Sequence, residues 1–193
     1  MRLFGMIFML LSVAPPVVAQ EDDPPCDELW FARNLLFDRA GYCFDSTLGQ
    51  AVFDNADCTT ATPALDARAA ANVARLRAAE TAYGCAIDTR RTRLRDQKYL
   101  AVYHDLQDLP VVELYPGGCI GYRGAPIPLH SGASDSALVI GTAAPGQSLG
   151  ISYQDFGDWT FVAVHPRDTG LPVMAYGWAR LGPDQLICDV YPG

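Results

Sequence analysis

The stretch Asp27 to Phe44, DELWFARNLLFDRAGYCF, decides the fold of the first half of the chain. Asp27 reads as a helix N-cap, because its carboxylate can accept from the free amides of a first turn. Glu28 follows where negative charge suits the helix dipole. Leu29, Ala32, Leu36 and Ala40 recur at helical spacing, with Trp30 and Phe37 beside them, so one face is broadly apolar. Gly41 fits the left-handed residue that ends a helix, and Tyr42 can then pack back on Phe37. The spacing predicts a helix over about Asp27 to Ala40, carrying Arg33, Asn34 and Arg39.

Working outward, the opening MRLFGMIFMLLSVAPPVVAQ reads as a secretory signal peptide. Arg2 is its charged start, Leu3 to Val13 its apolar run, and Val17 and Ala19 its small residues before a cleavage site. Residues 1–19 are expected to be removed, and no later stretch is long and apolar enough to span a membrane. Six cysteines remain, Cys26, Cys43, Cys58, Cys85, Cys119 and Cys188. An even count behind a signal peptide points to three disulfides in an oxidising compartment, with fifteen connectivities open. No C-x-x-C or Cys/His spacing speaks for a metal, and no cofactor is expected.

The formal charge of −8 makes nucleic acid and anionic membrane surfaces poor partners. The basic run Arg90, Arg91, Arg93, Arg95 and Lys98 is a local exception and reads as a solvated helix face, with a patch for an anionic partner as the alternative.

Beyond the first helix, Asp45 or Ser46 caps a short helix with Leu48, Val52 and Phe53 as its apolar contacts. Thr62-Pro63 opens a third, alanine-rich helix that Gly84 closes. A helical module this small, below about eighty residues, usually needs staples. Thr89 to Leu106 is read as a further helix, and Tyr115-Pro116-Gly117-Gly118 as a turn-rich linker. From Cys119 onward short β-rich runs alternate with Gly, Pro, Asp and Ser, the texture of a small barrel or sandwich.

Two resemblances sharpen this outline. The run Arg33, Asn34, Phe37, Arg39, Gly41, Tyr42 and Phe44 resembles the YARHG domain, a small helical module of bacterial extracellular proteins. Asp38 stands where that motif has Ala, and Ala40 where it has His. The likeness covers roughly Cys26 to Glu80 and brings no activity with it. Arg33, Asn34 and Arg39 are read as structural rather than ligand-binding, since an arginine beside carboxylates such as Asp38 and Asp45 usually makes an ion pair.

In the second half, Ile127-Pro-Leu-His-Ser-Gly-Ala-Ser134, Leu138 to Thr142, Gly157-Asp158-Trp159-Thr160-Phe161-Val162 and Tyr176-Gly177-Trp178-Ala179 follow one another. This order resembles the bacterial SH3-like domain, with His130, Ala133 and Ala179 replacing the usual Arg, Pro and Val. The expected class is α+β: a disulfide-tied three-helix module over 26–85, a helical or loop linker over 86–116, and a small SH3-like barrel over 117–191. The two together also resemble a family of secreted alphaproteobacterial proteins. That division favours Cys119–Cys188 bracketing the barrel, Cys43–Cys58 closing a short loop, and Cys26–Cys85 tying the first helix to the third.

For function, the SH3-like resemblance implies a non-enzymatic secreted or periplasmic binding module. It would recognise cell-wall peptide (peptidoglycan) or an envelope protein, and act as a monomer. Tyr153, Trp159, Tyr176 and Trp178 are the candidate contacts, because aromatics anchor recognition surfaces. Both tryptophans also have a packing role open to them, since large aromatics dominate small cores. No G-x-S-x-G or H-E-x-x-H motif is present, and His104, His130 and His165 are scattered. A hydrolase with a site between the two domains is the alternative. It calls for a His/Asp or His/Ser pocket near His130 or His165. A purely structural accessory protein is the third reading.

Overall fold

A computed structural model describes residues 25–95, 97–167, 172–182 and 185–192. The proposed signal peptide lies outside them. Helix α1 spans Cys26–Arg39, α2 Thr47–Val52, α3 Ala67–Ala82 and α4 Gln97–Leu100, the last running into a 3-10 turn at Ala101–Asp105. Six strands follow: β1 Val112–Cys119, β2 Ile127–His130, β3 Val139–Ala143, β4 Ser148–Tyr153, β5 Trp159–His165 and β6 Ala175–Arg180.

Helix α1 ends as its sequence demands. The amide of Tyr42 donates to Phe37 O at 3.1 Å and that of Gly41 to Asp38 O at 2.8 Å, the paired closure of a Schellman motif. Gly41 has φ of +78°, and the Tyr42 ring meets Phe37 at 6.1 Å between centroids. The start of α1 differs from expectation. Cys26 is already helical, so Asp27 lies inside the first turn and caps nothing. Its carboxylate instead accepts from Arg91 (Nη2 at 2.6 Å, Nη1 at 3.1 Å) and from the Arg95 amide at 2.7 Å. Helix α3 likewise begins later than Thr62-Pro63. Asp66 is its cap, accepting from the Ala69 amide at 2.8 Å. Ser46 caps α2 through the Gly49 amide at 3.1 Å.

Helix α1 is buried on more than the expected stripe, since Phe31, Asn34 and Leu35 are covered too. The second cover is the segment 97–106. It forms no long helix but folds back so that Leu100, Tyr103 and Leu106 close over α1. Arg39 holds that segment by donating to the carbonyls of Tyr103 (2.9 Å) and His104 (3.2 Å). Arg33 pairs with Glu80 at 2.9 Å, joining α1 to α3. The Asn34 amide donates to Trp30 O at 2.8 Å. The three motif side chains thus all have partners in the fold.

The strands make one antiparallel sheet in the order β1-β4-β5-β6-β2-β3. Among the described residues it is open: β1 and β3 are its two edges and do not pair with each other, so the closed barrel is replaced by an open sheet. The expected linker Tyr115 to Gly118 lies inside β1. A proline is tolerated there because β1 is an edge strand, with a register shift between Val112 and Gly117.

Along β5 the side chains alternate between two cores. Trp159 and Phe161 point to a cluster shared with Leu29, Leu35, Leu76, Tyr103, Leu109 and other helical-half residues. Val162 and Val164 point to a second cluster with Tyr122, Leu129 and Leu149. Both faces of the sheet are therefore buried, one by the helices and one by the sheet's own curl. The period of two along a strand makes this possible.

The disulfides join Cys26 to Cys85, Cys43 to Cys58 and Cys119 to Cys188. Each native bond in a small domain contributes roughly 2–5 kcal/mol. No helix among the described residues is long and apolar enough to cross a membrane. The three disulfides are consistent with a protein outside the cytoplasm.

Candidate binding cleft

Among the described residues, a larger and a smaller cleft open where the helical half meets the rest of the chain. The larger, about 1330 Å³, lies between the start of α1, the segment 84–103 and the β4–β6 face of the sheet. Its wall includes Glu28, Arg91, Tyr99, Tyr103, Tyr153 and Tyr176. Glu28 sits in the first turn of α1, two residues after the cysteine that is bonded to Cys85. The Tyr103 hydroxyl donates to Glu28 Oε1 at 2.5 Å. The Tyr153 hydroxyl stands against the same carboxyl and against the Tyr103 phenol.

Burial dominates the titration of this trio. Desolvation raises the Glu28 pKa above its ordinary value, although the two phenols act to lower it. Both tyrosines are pushed up, by burial first and then by the adjacent carboxylate. On the rim Asp27 goes the other way. Burial tends to raise it, but the Arg91 side chain and the Arg95 amide together outweigh that and hold it below the usual carboxylate range.

The four aromatic candidates divide. Trp159 and Trp178 are 5% and 0% exposed and belong to the core between helices and sheet, so neither offers a surface to a ligand. The Trp178 indole NH donates to Asp108 O at 2.8 Å, and Trp159 packs edge-on to His130 at 5.2 Å. Tyr153 and Tyr176 line the cleft. The basic run does not form a helix face. Arg91 holds Asp27, Arg90 holds Asp88 at 2.9 Å, and Lys98 lies over the Tyr99 ring at 4.6 Å.

Of the histidines, His165 lines the cleft together with Ser152. Its Nδ1 is enclosed without a hydrogen-bond partner among the described residues. His130 bonds through Nδ1 to Ala137 O at 3.0 Å. Among the described residues no histidine is hydrogen-bonded to a carboxylate or hydroxyl, and no cluster of three acids, histidines or cysteines could hold a metal. The His130-Ser131-Gly132 turn is structural. Ser131 O accepts from the Gln107 amide at 2.6 Å, and the Ala133 amide donates to Asp108 at 2.6 Å.

Sequence reading missed Glu28, Tyr99 and Tyr103 as cleft residues. Glu28 looked like a dipole-compensating first-turn acid, and Tyr103 lies 75 residues away from it. No local spacing connects them.

The smaller cleft, about 580 Å³, is lined by Arg39, Arg68, Asn72, Asp108 and Ser131. Within it Arg68 grips Asp108 with two nitrogens, and Arg39 donates to the carbonyls of Tyr103 and His104.

A disulfide-tied α+β protein with an acid-and-phenol cleft at the junction of its halves is the class these features define. Residues 84–193 match the family described as a domain of unknown function, DUF4453, and the chain belongs to that family. Residues 6–81 match the YARHG domain. No curated protein and no solved structure matches the chain.

Proposed function

We propose that this protein is a non-enzymatic binding protein of the secreted or periplasmic space, exported by a signal peptide cleaved after Ala19. It works as a monomer, and its cleft takes a peptide segment of the cell wall or of an envelope protein. The carrying observation is the cleft itself. It is large, open along one side, and mixes apolar wall residues such as Ile87, Val102 and Val173 with a few converging polar groups. That mixture marks ligand sites in general. Tyr153 and Tyr176 are the contacts retained from the aromatic set. The order of SH3-like motifs from Ile127 to Ala179 supports an SH3-related origin for the sheet, and with it peptide recognition.

The test is co-sedimentation of the mature chain, from Gln20, with purified insoluble peptidoglycan, beside a fully reduced control. Saturable retention that is lost on reduction and weakened by Tyr176→Ala is the expected result. Absence of retention overturns wall binding and directs the search to envelope proteins captured through the same cleft.

A further inference from the structure

Among the described residues, four half-buried or buried carboxylates elsewhere in the molecule have an arginine against them: Asp27 has Arg91, Glu80 has Arg33, Asp108 has Arg68, and Asp189 has Arg123 and Arg167, while Asp38 has no such ion pair. Glu28 differs. Its partners are two phenols, and among the described residues no lysine or arginine pairs with it. A carboxylate offers about four acceptor sites, so two phenols leave room for further donors. The vacant directions belong to a side chain that lines the cleft.

The rings around it are suited to positive charge. Tyr153, Tyr176 and Tyr99 line the same cleft. Aromatic faces attract cations, and most strongly where water is excluded. Tyr99 already carries the Lys98 ammonium at 4.6 Å, which shows that its ring accepts such a group. Of the rim arginines, Arg91 is neutralised by Asp27.

We infer that the cleft recognises a primary ammonium group on its ligand, seated on the Glu28 carboxyl and flanked by the rings of Tyr153, Tyr176 and Tyr99. The ligand class is a peptide bearing a lysine-type or other diamino side chain. The inference rests on the cleft being the ligand site proposed above, and it names the group read there. Glu28 supplies charge and acceptors, the phenols orient its oxygens, and the rings contribute cation–π attraction. Attraction to the ammonium offsets part of the cost of keeping this carboxylate out of water.

The probe is Nα-acetyl-lysine amide, titrated into the folded chain and followed by NMR shifts of the cleft tyrosines. The same compound acetylated on its side-chain nitrogen is the control. Saturable shifts with the free amine, at least about tenfold weaker with the acetylated control, are expected. Glu28→Gln, with its fold checked by near-ultraviolet dichroism, weakens binding by a similar factor, and Tyr176→Ala weakens it less. Should Glu28→Gln prove unfolded, Tyr99→Ala at the exposed rim replaces it, with loss of affinity expected. Equal response to the free and acetylated compounds, no response to the free amine, or unchanged affinity in the folded variants overturns the ammonium site. Retention on peptidoglycan without an amine response overturns this inference alone. An amine response without retention overturns the wall-binding reading alone.

Discussion

The indole NH of Trp178 on β6 donates to the backbone carbonyl of Asp108 at 2.8 Å. That one bond ties the aromatic face of the sheet to the segment that enters it. The Asp108 side chain, in the same residue, grips Arg68 of α3 and accepts from the Ala133 amide. Next to it, Leu109 exchanges two backbone bonds with the Asn72 side chain, at 2.8 and 3.0 Å. Residues 107–109 therefore fasten α3, the 131–133 turn and β6 at one point.

Trp178→Phe keeps most of the packing but leaves the buried Asp108 carbonyl without its donor. A loss of about 1–3 kcal/mol is expected, measured as a lower urea midpoint at pH 7. Trp178→Ala adds a cavity and should cost about 3–5 kcal/mol. A change of less than a few tenths in the Phe variant would show that the bond contributes little.

Gly41→Ala tests the helix stop. Its φ of +78° is unfavourable for any residue with a Cβ, and an added Cβ would lie 2.4 Å from Thr59 Oγ1. The expected destabilisation is about 1–2 kcal/mol from backbone conformation, read from thermal or urea unfolding.

Glu28 has a folded pKa raised above its ordinary 4.5, so the folded state binds that proton more tightly than the unfolded chain does. Its favourable contribution is complete below that ordinary value and is lost as pH rises through the folded pKa. Wild type should therefore lose stability relative to Glu28→Gln as pH rises above the ordinary value of 4.5, in paired urea titrations. A difference that stays constant as pH rises above 4.5 would contradict the burial argument.

Asp27 has the opposite sign. Its folded pKa lies below the ordinary 3.8, so its contribution is present above that value and is lost as pH falls through the folded pKa. Asp27→Asn should destabilise by about 1 kcal/mol at pH 7, because the pair is half-exposed and screened. The gap should close below pH 3.8, measured by the same unfolding titrations.

What could be read from the residues alone was local or compositional. The Phe37-Asp38-Arg39-Ala40-Gly41-Tyr42 stop is legible because a left-handed glycine and its flanking aromatics lie within six residues. The even cysteine count leads to disulfides, and the change of texture near Cys119 separates a helix-rich half from a strand-rich one. Helix starts were less legible. Asp27, Thr62 and Asp66 all have capping chemistry, and only packing chose Asp66 and gave Asp27 to Arg91.

The tertiary structure decided everything that depends on which surface covers which. Alternation along Trp159–His165 shows a strand with two apolar faces. It does not say that one face meets α1 and α3 while the other meets the sheet's own curl. For that reason Trp159 and Trp178, equally suited to a binding surface or a core, are settled as core by their neighbours. For the same reason Glu28, an ordinary first-turn acid in the sequence, stands against Tyr103 and Tyr153. Both approach from the far side of the chain, and only the closure of the two halves brings them to one carboxyl.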